Sequence, residues 1–167
     1  TFFRPYTKKM WDKEIEELNP KILERVPVRD DDNEYYFPND DFQKMPADGY
    51  TAMFERIFDH ENIRVVLNYP FNKKMEDDVD HIFNSMPIDE YYDYEFGELP
   101  YRSIKFENVT LPEKQMYKTA TTNFTTYDGP TRVTEWKNFP NHGENDMATP
   151  LTYEYPCDYK DNNMERY

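Results

Sequence analysis

The sequence predicts an α+β fold in which short helices come first and an antiparallel β-sheet follows. Three observations predict it. Between Tyr50 and Phe58 the apolar residues recur at helical spacing. From Tyr101 onward the period changes to two. The later stretches are joined by short polar segments, which suit antiparallel neighbours. Helices before strands, rather than alternating with them, is the α+β pattern.

Within the first thirty residues, Trp11, Ile15 and Leu18 stand at i, i+4 and i+7 and predict a helix over 11–18. Asn19-Pro20 reads as an N-cap followed by proline at the first helical position, with Ile22 and Leu23 as the apolar face and Pro27 as the stop. Residues 30–47 carry Asp30-Asp31-Asp32, Tyr35-Tyr36-Phe37, Pro38 and Pro46 and read as a loop or short hairpin, the acidic run being a solvated face. Asp48-Gly49-Tyr50 opens a helix whose Tyr50, Met53, Phe54, Ile57 and Phe58 form one stripe, expected to be core. His60 lies at its end, where it reads as a cap.

Ile63 to Asn68 is β-branched and predicts a buried strand, and Asp80 to Asn84 a weaker one. Lys73 to Asp78 is charged and turn-like. Pro87 to Phe96 predicts a Tyr-rich helix ended by Gly97. Tyr101, Ser103, Lys105 and Glu107 then alternate with Arg102, Ile104, Phe106 and Asn108. Further strands are expected within 116–126, 131–139 and 151–155. The joins carry Leu111-Pro112, Asp128-Gly129-Pro130 and Asn141-His142-Gly143. The chain is treated as one region: 1–60 mainly helix and loop, 61–100 mixed, 101–167 antiparallel sheet.

Hydrophobic residues make up 37% of the 167 and charged residues 32%. Aromatics at 17% argue against disorder. So little aliphatic material leaves a thin core, so the chain reads as a folded piece of something larger or a subunit leaning on a partner. A net charge of −14 gives no general attraction for nucleic acid or anionic lipid. There is no apolar run of membrane-spanning length and no signal-peptide pattern at Thr1-Phe2-Phe3-Arg4-Pro5. The single Cys157 excludes an internal disulfide and a multi-cysteine metal site, and fits a reducing compartment. The four glycines, Gly49, Gly97, Gly129 and Gly143, are scattered, so neither a G-x-G-x-x-G turn nor a P-loop is present.

His60, His81 and His142 lie in unrelated contexts and offer neither a nucleophilic triad nor metal-ligand spacing. Arginines stand out at element ends: Arg25 and Arg29 around Val26-Pro27-Val28, Arg102 in Leu99-Pro100-Tyr101-Arg102-Ser103, and Arg132 in Thr131-Arg132-Val133-Thr134-Glu135. In an acidic chain the default role of each is a salt bridge. The alternative is an anion pocket, where the guanidinium fork suits phosphate. Phe2, Tyr6, Thr7 and Trp11 can stack a flat base and hydrogen-bond its edge.

These stretches resemble the UDP-galactopyranose mutase family. The resemblance begins with Phe2-Phe3-Arg4-Pro5-Tyr6-Thr7-Lys8-Lys9-Met10-Trp11 and Glu17-Leu18-Asn19-Pro20. It continues through Arg25-Val26-Pro27-Val28-Arg29, Tyr35-Tyr36-Phe37 and Met45-Pro46-Ala47-Asp48-Gly49-Tyr50. Pro87-Ile88-Asp89-Glu90-Tyr91-Tyr92-Asp93-Tyr94 follows, and then the Arg102 and Arg132 motifs and Tyr153-Glu154-Tyr155-Pro156. It runs nearly end to end in order. One departure is Ser85-Met86-Pro87-Ile88-Asp89 where the family usually has Thr-Gly-Pro-Ile-Asp near the flavin; methionine cannot take positive φ as cheaply as glycine.

The resemblance implies an excised central region of a flavoenzyme, without the N-terminal Rossmann segment that binds FAD or the C-terminal segment that returns to it. It implies a cytoplasmic isomerase interconverting UDP-galactopyranose and UDP-galactofuranose, with reduced FAD rather than a side chain as the nucleophile. The missing FAD-binding domain is then a partner, the parent is expected to be a homo-oligomer, and no metal is needed. The implied catalytic residues are Arg132 and Arg25, gripping the diphosphate, with Arg25 on a loop that closes. Phe2, Tyr6, Thr7 and Trp11 would hold the uridine, Tyr36 would hydrogen-bond the phosphates, and Arg102 would line the pocket. Tyr167 stands where the family's Tyr-Tyr-Pro stretch begins. The alternative is a non-catalytic nucleotide-sugar-binding or protein-interaction module of the same ancestry.

Overall fold

The computed structural model describes residues 2–24, 29–32, 37–126, 128–140 and 146–166. The chain divides into two compact units, Thr1–Pro38 with Pro100–Tyr167, and Asn39–Leu99.

The first unit is built on a four-stranded antiparallel sheet of order β1-β4-β3-β2. Strands β1 (Arg102–Leu111) and β4 (Thr149–Asp158) pair over their whole lengths, from Arg102 opposite Asp158 to Leu111 opposite Thr149. The other edge of β4 pairs with β3 (Arg132–Glu135), Arg132 facing Glu154 and Glu135 facing Leu151. Strand β2 (Thr121–Asn123) closes the sheet against β3. The period-two stretch from Tyr101 and the antiparallel arrangement are therefore as the sequence predicts, and no helix longer than one turn interrupts the described residues of 101–155.

Two strands are shorter than expected, for local reasons. The stretch 116–126 is a strand only at Thr121–Asn123. The N–H groups of Met116 and Tyr117 donate instead to the Glu135 carboxylate, and Asn138 Nδ2 donates to the carbonyls of Tyr117 and Thr119. Backbone groups satisfied by side chains have no need of a ladder. The stretch 131–139 leaves the sheet after Glu135, where Trp136–Asn138 winds into a 3₁₀ turn.

The core is thin, as the composition predicts. Ile104, Val133, Leu151 and Tyr159 are its buried apolar residues, set among a larger number of buried polar ones. Several of those polar groups are paired through hydrogen bonds. Trp136 Nε1 donates to Thr152 Oγ1 at 2.7 Å, and that hydroxyl donates to Asn108 Oδ1 at 2.6 Å, linking β3's exit, β4 and β1.

Helix α1 (Phe3–Trp11) precedes the sheet. Pro5 sits in its first turn, where a missing N–H costs nothing. The expected helix over 11–18 does not form. Asp12 takes the left-handed conformation (φ 54°), its N–H closes α1 on Lys8 O at 2.8 Å, and only Ile15–Glu17 turns again, as 3₁₀. Asn19 caps the next helix as expected: Lys21 N–H donates to Asn19 Oδ1 at 3.0 Å at the start of α2 (Lys21–Glu24). The stop assigned to Pro27 lies outside the described residues.

The second unit holds α3 (Gly49–Phe58), where the sequence places it. Its stripe is not core. Tyr50, Phe54, Ile57 and Phe58 are exposed, and no residue of the helix is buried. His60 Nδ1 accepts from Asn62 N–H at 3.1 Å, capping the turn that follows. The runs at 63–68 and 80–84 are not strands; Ile63, Val65, Val66 and Leu67 are exposed, and so is Phe83. The predicted helix at 87–96 is regular only over α4 (Ile88–Tyr91). Asp93 and Tyr94 adopt positive φ (52° and 58°), which ends it, and Gly97 follows at φ 89°. Buried Asp89 ties the turn together by accepting from Leu99 N–H at 2.9 Å.

Candidate functional site

The arginine and aromatic residues of interest lie in the first unit, and the sheet's register decides which share a face. Residues directly opposite in a sheet share a face, as do residues two or four apart on one strand. Arg102 faces Asp158, Arg132 faces Glu154, and residues 154 and 158 are four apart on β4. Arg102 and Arg132 therefore stand on one face, on either side of β4, Arg102 at the end of the strand and Arg132 four residues further in. Strand rise and spacing put their Cα positions on the order of 15 Å apart.

Arg132 is held hard. Its Nε donates to Glu154 Oε1 at 2.9 Å and its Nη2 to Glu154 Oε2 at 2.7 Å, a two-point fork. The Arg132 side chain is 36% exposed and that of Glu154 10%. The salt bridge expected by default is thus present. It also fixes the plane of the guanidinium while leaving over a third of the side chain facing solvent.

Helix α1 bridges this end of the sheet. Arg102 Nε donates to Met10 O at 3.2 Å, pinning the helix C-terminus at β1 and satisfying one of its terminal carbonyls. Lys9 is 7% exposed. Its ammonium donates to Thr126 O and Pro130 O, both at 2.7 Å, within the connection from β2 to β3. Burial pushes the Lys9 pKa down, opposed by the charge of Asp128. Arg102 and Lys9 together span α1 across β4.

On α1, Phe2 and Tyr6 are one turn apart and stack, with ring centroids at 5.4 Å and planes 14° apart. Phe3 meets Phe2 edge-on at 5.6 Å. Phe2 and Trp11 are exposed, and Tyr6 is half-buried. Thr7 is buried. Of the residues singled out in the sequence, Phe2, Tyr6, Thr7, Trp11, Arg102 and Arg132 fall on α1 and the adjoining sheet. Arg25, Tyr36 and Tyr167 lie outside the described residues.

A second buried acid stands behind the site. Glu135 is fully buried and accepts from Thr149 Oγ1, from the N–H groups of Met116 (3.1 Å) and Tyr117 (2.6 Å), and from Asn138 Nδ2 (3.2 Å). Burial alone pushes its pKa up, but these hydrogen bonds outweigh that and hold it below the usual carboxylate range.

Glu135, Glu154 and Lys9 carry the geometry and were not singled out from sequence. A signal existed for Glu154, the one acidic residue between Pro150 and Cys157. No pattern marks Lys9, whose neighbour Lys8 pairs at the surface with Glu14 at 3.2 Å. Among the described residues no cluster of His, Cys, Asp and Glu could hold a metal ion, and no helix is long and apolar enough to cross a membrane.

A family model of UDP-galactopyranose mutase matches residues 1–167. The chain belongs to the UDP-galactopyranose mutase family. A probable UDP-galactopyranose mutase of Klebsiella pneumoniae is 43% identical over 139 residues, covering 83% of this chain and 36% of that protein. A dTDP-fucopyranose mutase of Escherichia coli is 37% identical over 147 residues, covering 83% of the chain and 38% of that protein. The UDP-galactopyranose mutase of Mycoplasma pneumoniae is 30% identical over 178 residues, covering 99% and 45%. The chain thus spans about two-fifths of the length of these mutases.

The residues present do not fit FAD by themselves. The sheet is wholly antiparallel, with no strand–glycine turn–helix unit among the described residues to cradle a dinucleotide diphosphate. At the turn where this mutase-family chain has methionine for glycine, Met86 is not among the residues at positive φ, and its N–H donates to Asn84 Oδ1 at 2.9 Å.

Proposed function

We propose that this region supplies the nucleotide-sugar-binding surface of a flavin-dependent mutase that interconverts UDP-galactopyranose and UDP-galactofuranose. The observation that carries the reading is a shared face: Arg102 and Arg132 stand on one face of the sheet, and Arg102 also bonds α1, the helix beside the stacked Phe2–Tyr6 pair. An exposed aromatic pair suits the uracil ring. A guanidinium locked in plane by Glu154 suits a diphosphate, whose charge grows as the bond from the anomeric carbon to the UDP oxygen breaks.

In this reading Phe2, Tyr6, Thr7 and Trp11 hold the uridine. Arg132 grips the diphosphate, and Arg102 lines the pocket while anchoring α1. Arg25, Tyr36 and Tyr167 are assigned to the same site by motif: Arg25 to the diphosphate, Tyr36 to phosphate hydrogen bonds and Tyr167 to the substrate. FAD would be held by the remaining length that the relatives possess, and that domain would cover the apolar surface of residues 39–99.

The similarity to a dTDP-fucopyranose mutase supports a second substrate reading, a deoxythymidine diphosphate 6-deoxysugar on the same surface. One experiment tests both. The full-length protein is titrated with UDP and with dTDP, then assayed under reducing conditions for conversion of UDP-galactofuranose and of dTDP-fucofuranose. UDP binding that Arg132→Ala and Tyr6→Ala each weaken, with turnover of the galactose sugar, supports the first reading. Preference for dTDP selects the second. Neither binding nor turnover overturns both and favours a non-catalytic module.

A further inference from the structure

A lysine is almost never buried without partners, and buried Lys9 donates to two backbone carbonyls. Those carbonyls are not arbitrary. Thr126 O and Pro130 O bracket the turn between β2 and β3, and Pro130 stands two residues before Arg132. From there the path continues through hydrogen bonds. Thr131 N–H and Thr131 Oγ1 both donate to Glu154 O, at 2.8 and 3.1 Å, and the Glu154 carboxylate takes the Arg132 fork. In the other direction Lys9 lies one turn beyond Tyr6 on α1. A single ammonium therefore couples the helix that carries the stacked rings to the strand that carries the guanidinium.

We propose that Lys9 is a positioning residue, holding the α1 aromatic pair and Arg132 at the spacing that a nucleoside diphosphate spans. The inference rests on the site reading above. It predicts a signature that a residue serving stability alone does not give. Uridine touches only the helix side of such a site, whereas UDP needs both sides at once, so loosening the spacing costs UDP binding and spares uridine binding.

The experiment compares uridine and UDP affinity by calorimetry in the full-length protein, for Lys9→Met, Arg132→Ala, Tyr6→Ala and the Lys9→Met/Arg132→Ala double variant. Folding is checked by circular dichroism. Lys9→Met is expected to weaken UDP about tenfold or more while changing uridine by less than about twofold. In the Arg132→Ala background, Lys9→Met is expected to have no further effect on UDP, because the distance it sets no longer matters. Equal losses for the two ligands, full additivity in the double variant, or unchanged UDP affinity each overturn the inference. If Arg132→Ala and Tyr6→Ala leave UDP affinity intact, the underlying site reading fails, and this inference with it. Should Lys9→Met not fold, Lys9→Gln is measured in its place with the same outcomes, since its amide nitrogen stands one bond short of the lysine nitrogen and no longer sets the same spacing.

Discussion

If Arg132 contacts the diphosphate as proposed, its salt bridge to Glu154 is part of the ligand site. Glu154 occupies two of the guanidinium's donors and sets its plane, so the group is oriented before any anion arrives, and little is lost in ordering it. Arg132→Ala is expected to lower turnover of the full-length protein a hundredfold or more, on the order of 3 kcal/mol of transition-state stabilisation. Arg132→Lys should recover little, because an ammonium cannot fork onto Glu154 and face a diphosphate together. Arg56→Ala, which removes only an exposed pair with Asp48, should leave turnover unchanged; comparable losses in both variants would remove Arg132 from the site. Glu135 makes a different prediction, in pH. Its folded pKa is depressed, so it contributes stability that is fully present above the unfolded glutamate pKa and lost as pH falls through the folded value. Denaturant unfolding of the wild type should therefore weaken through the acid range, and Glu135→Gln should flatten that slope while costing about 2–3 kcal/mol at neutral pH.

At the scale of elements, β4 carries the largest packing load. Leu151 is 1% exposed and lies on the middle strands, so Leu151→Ala should cost about 2–5 kcal/mol in chemical unfolding. Phe106→Ala on the edge strand β1, at 63% exposure, should cost far less. What could be read from sequence follows the same division. β1 was legible because alternation is local, and α3 because its stripe is. The helix at 11–18 was not, since Asp12 turns left-handed and breaks a stripe that pattern alone makes continuous. The stretch 116–120 was not, because its ladder partners are replaced by Glu135 and Asn138, residues distant in sequence. Ile63 to Leu67 has the composition of a buried strand and lies exposed. Propensity records what a segment suits, and a strand also needs a neighbour to pair with. In the site, the aromatic cluster and Arg132 were visible as residue types, whereas Lys9 was not, because its two acceptors are backbone carbonyls and leave no mark in the sequence.

At the scale of the whole molecule, the absence of a dinucleotide cradle among the described residues makes a direct prediction. The 167-residue chain expressed alone should purify without flavin absorbance and convert no UDP-sugar; a coloured preparation with one flavin per chain would contradict it. The exposed Tyr50, Phe54, Ile57 and Phe58 of α3, with Val65, Val66 and Leu67, should make that isolated chain bind a hydrophobic dye strongly. The sheet order has a consequence of another kind, for the birth of the molecule. β4 is the last of the four strands described, yet it alone joins β1 to the β2–β3 hairpin. On the ribosome, β1 leaves the exit tunnel with its edge unmatched and waits for nearly forty further residues before its partner appears. Until then the hairpin and β1 have nothing to hold them together, and the loop that must close between them makes the pairing slow. The four-stranded sheet therefore cannot be complete until Thr149–Asp158 is available to pair with β1 and β3. Every nascent chain that stalls before that point presents open strand edges to its neighbours.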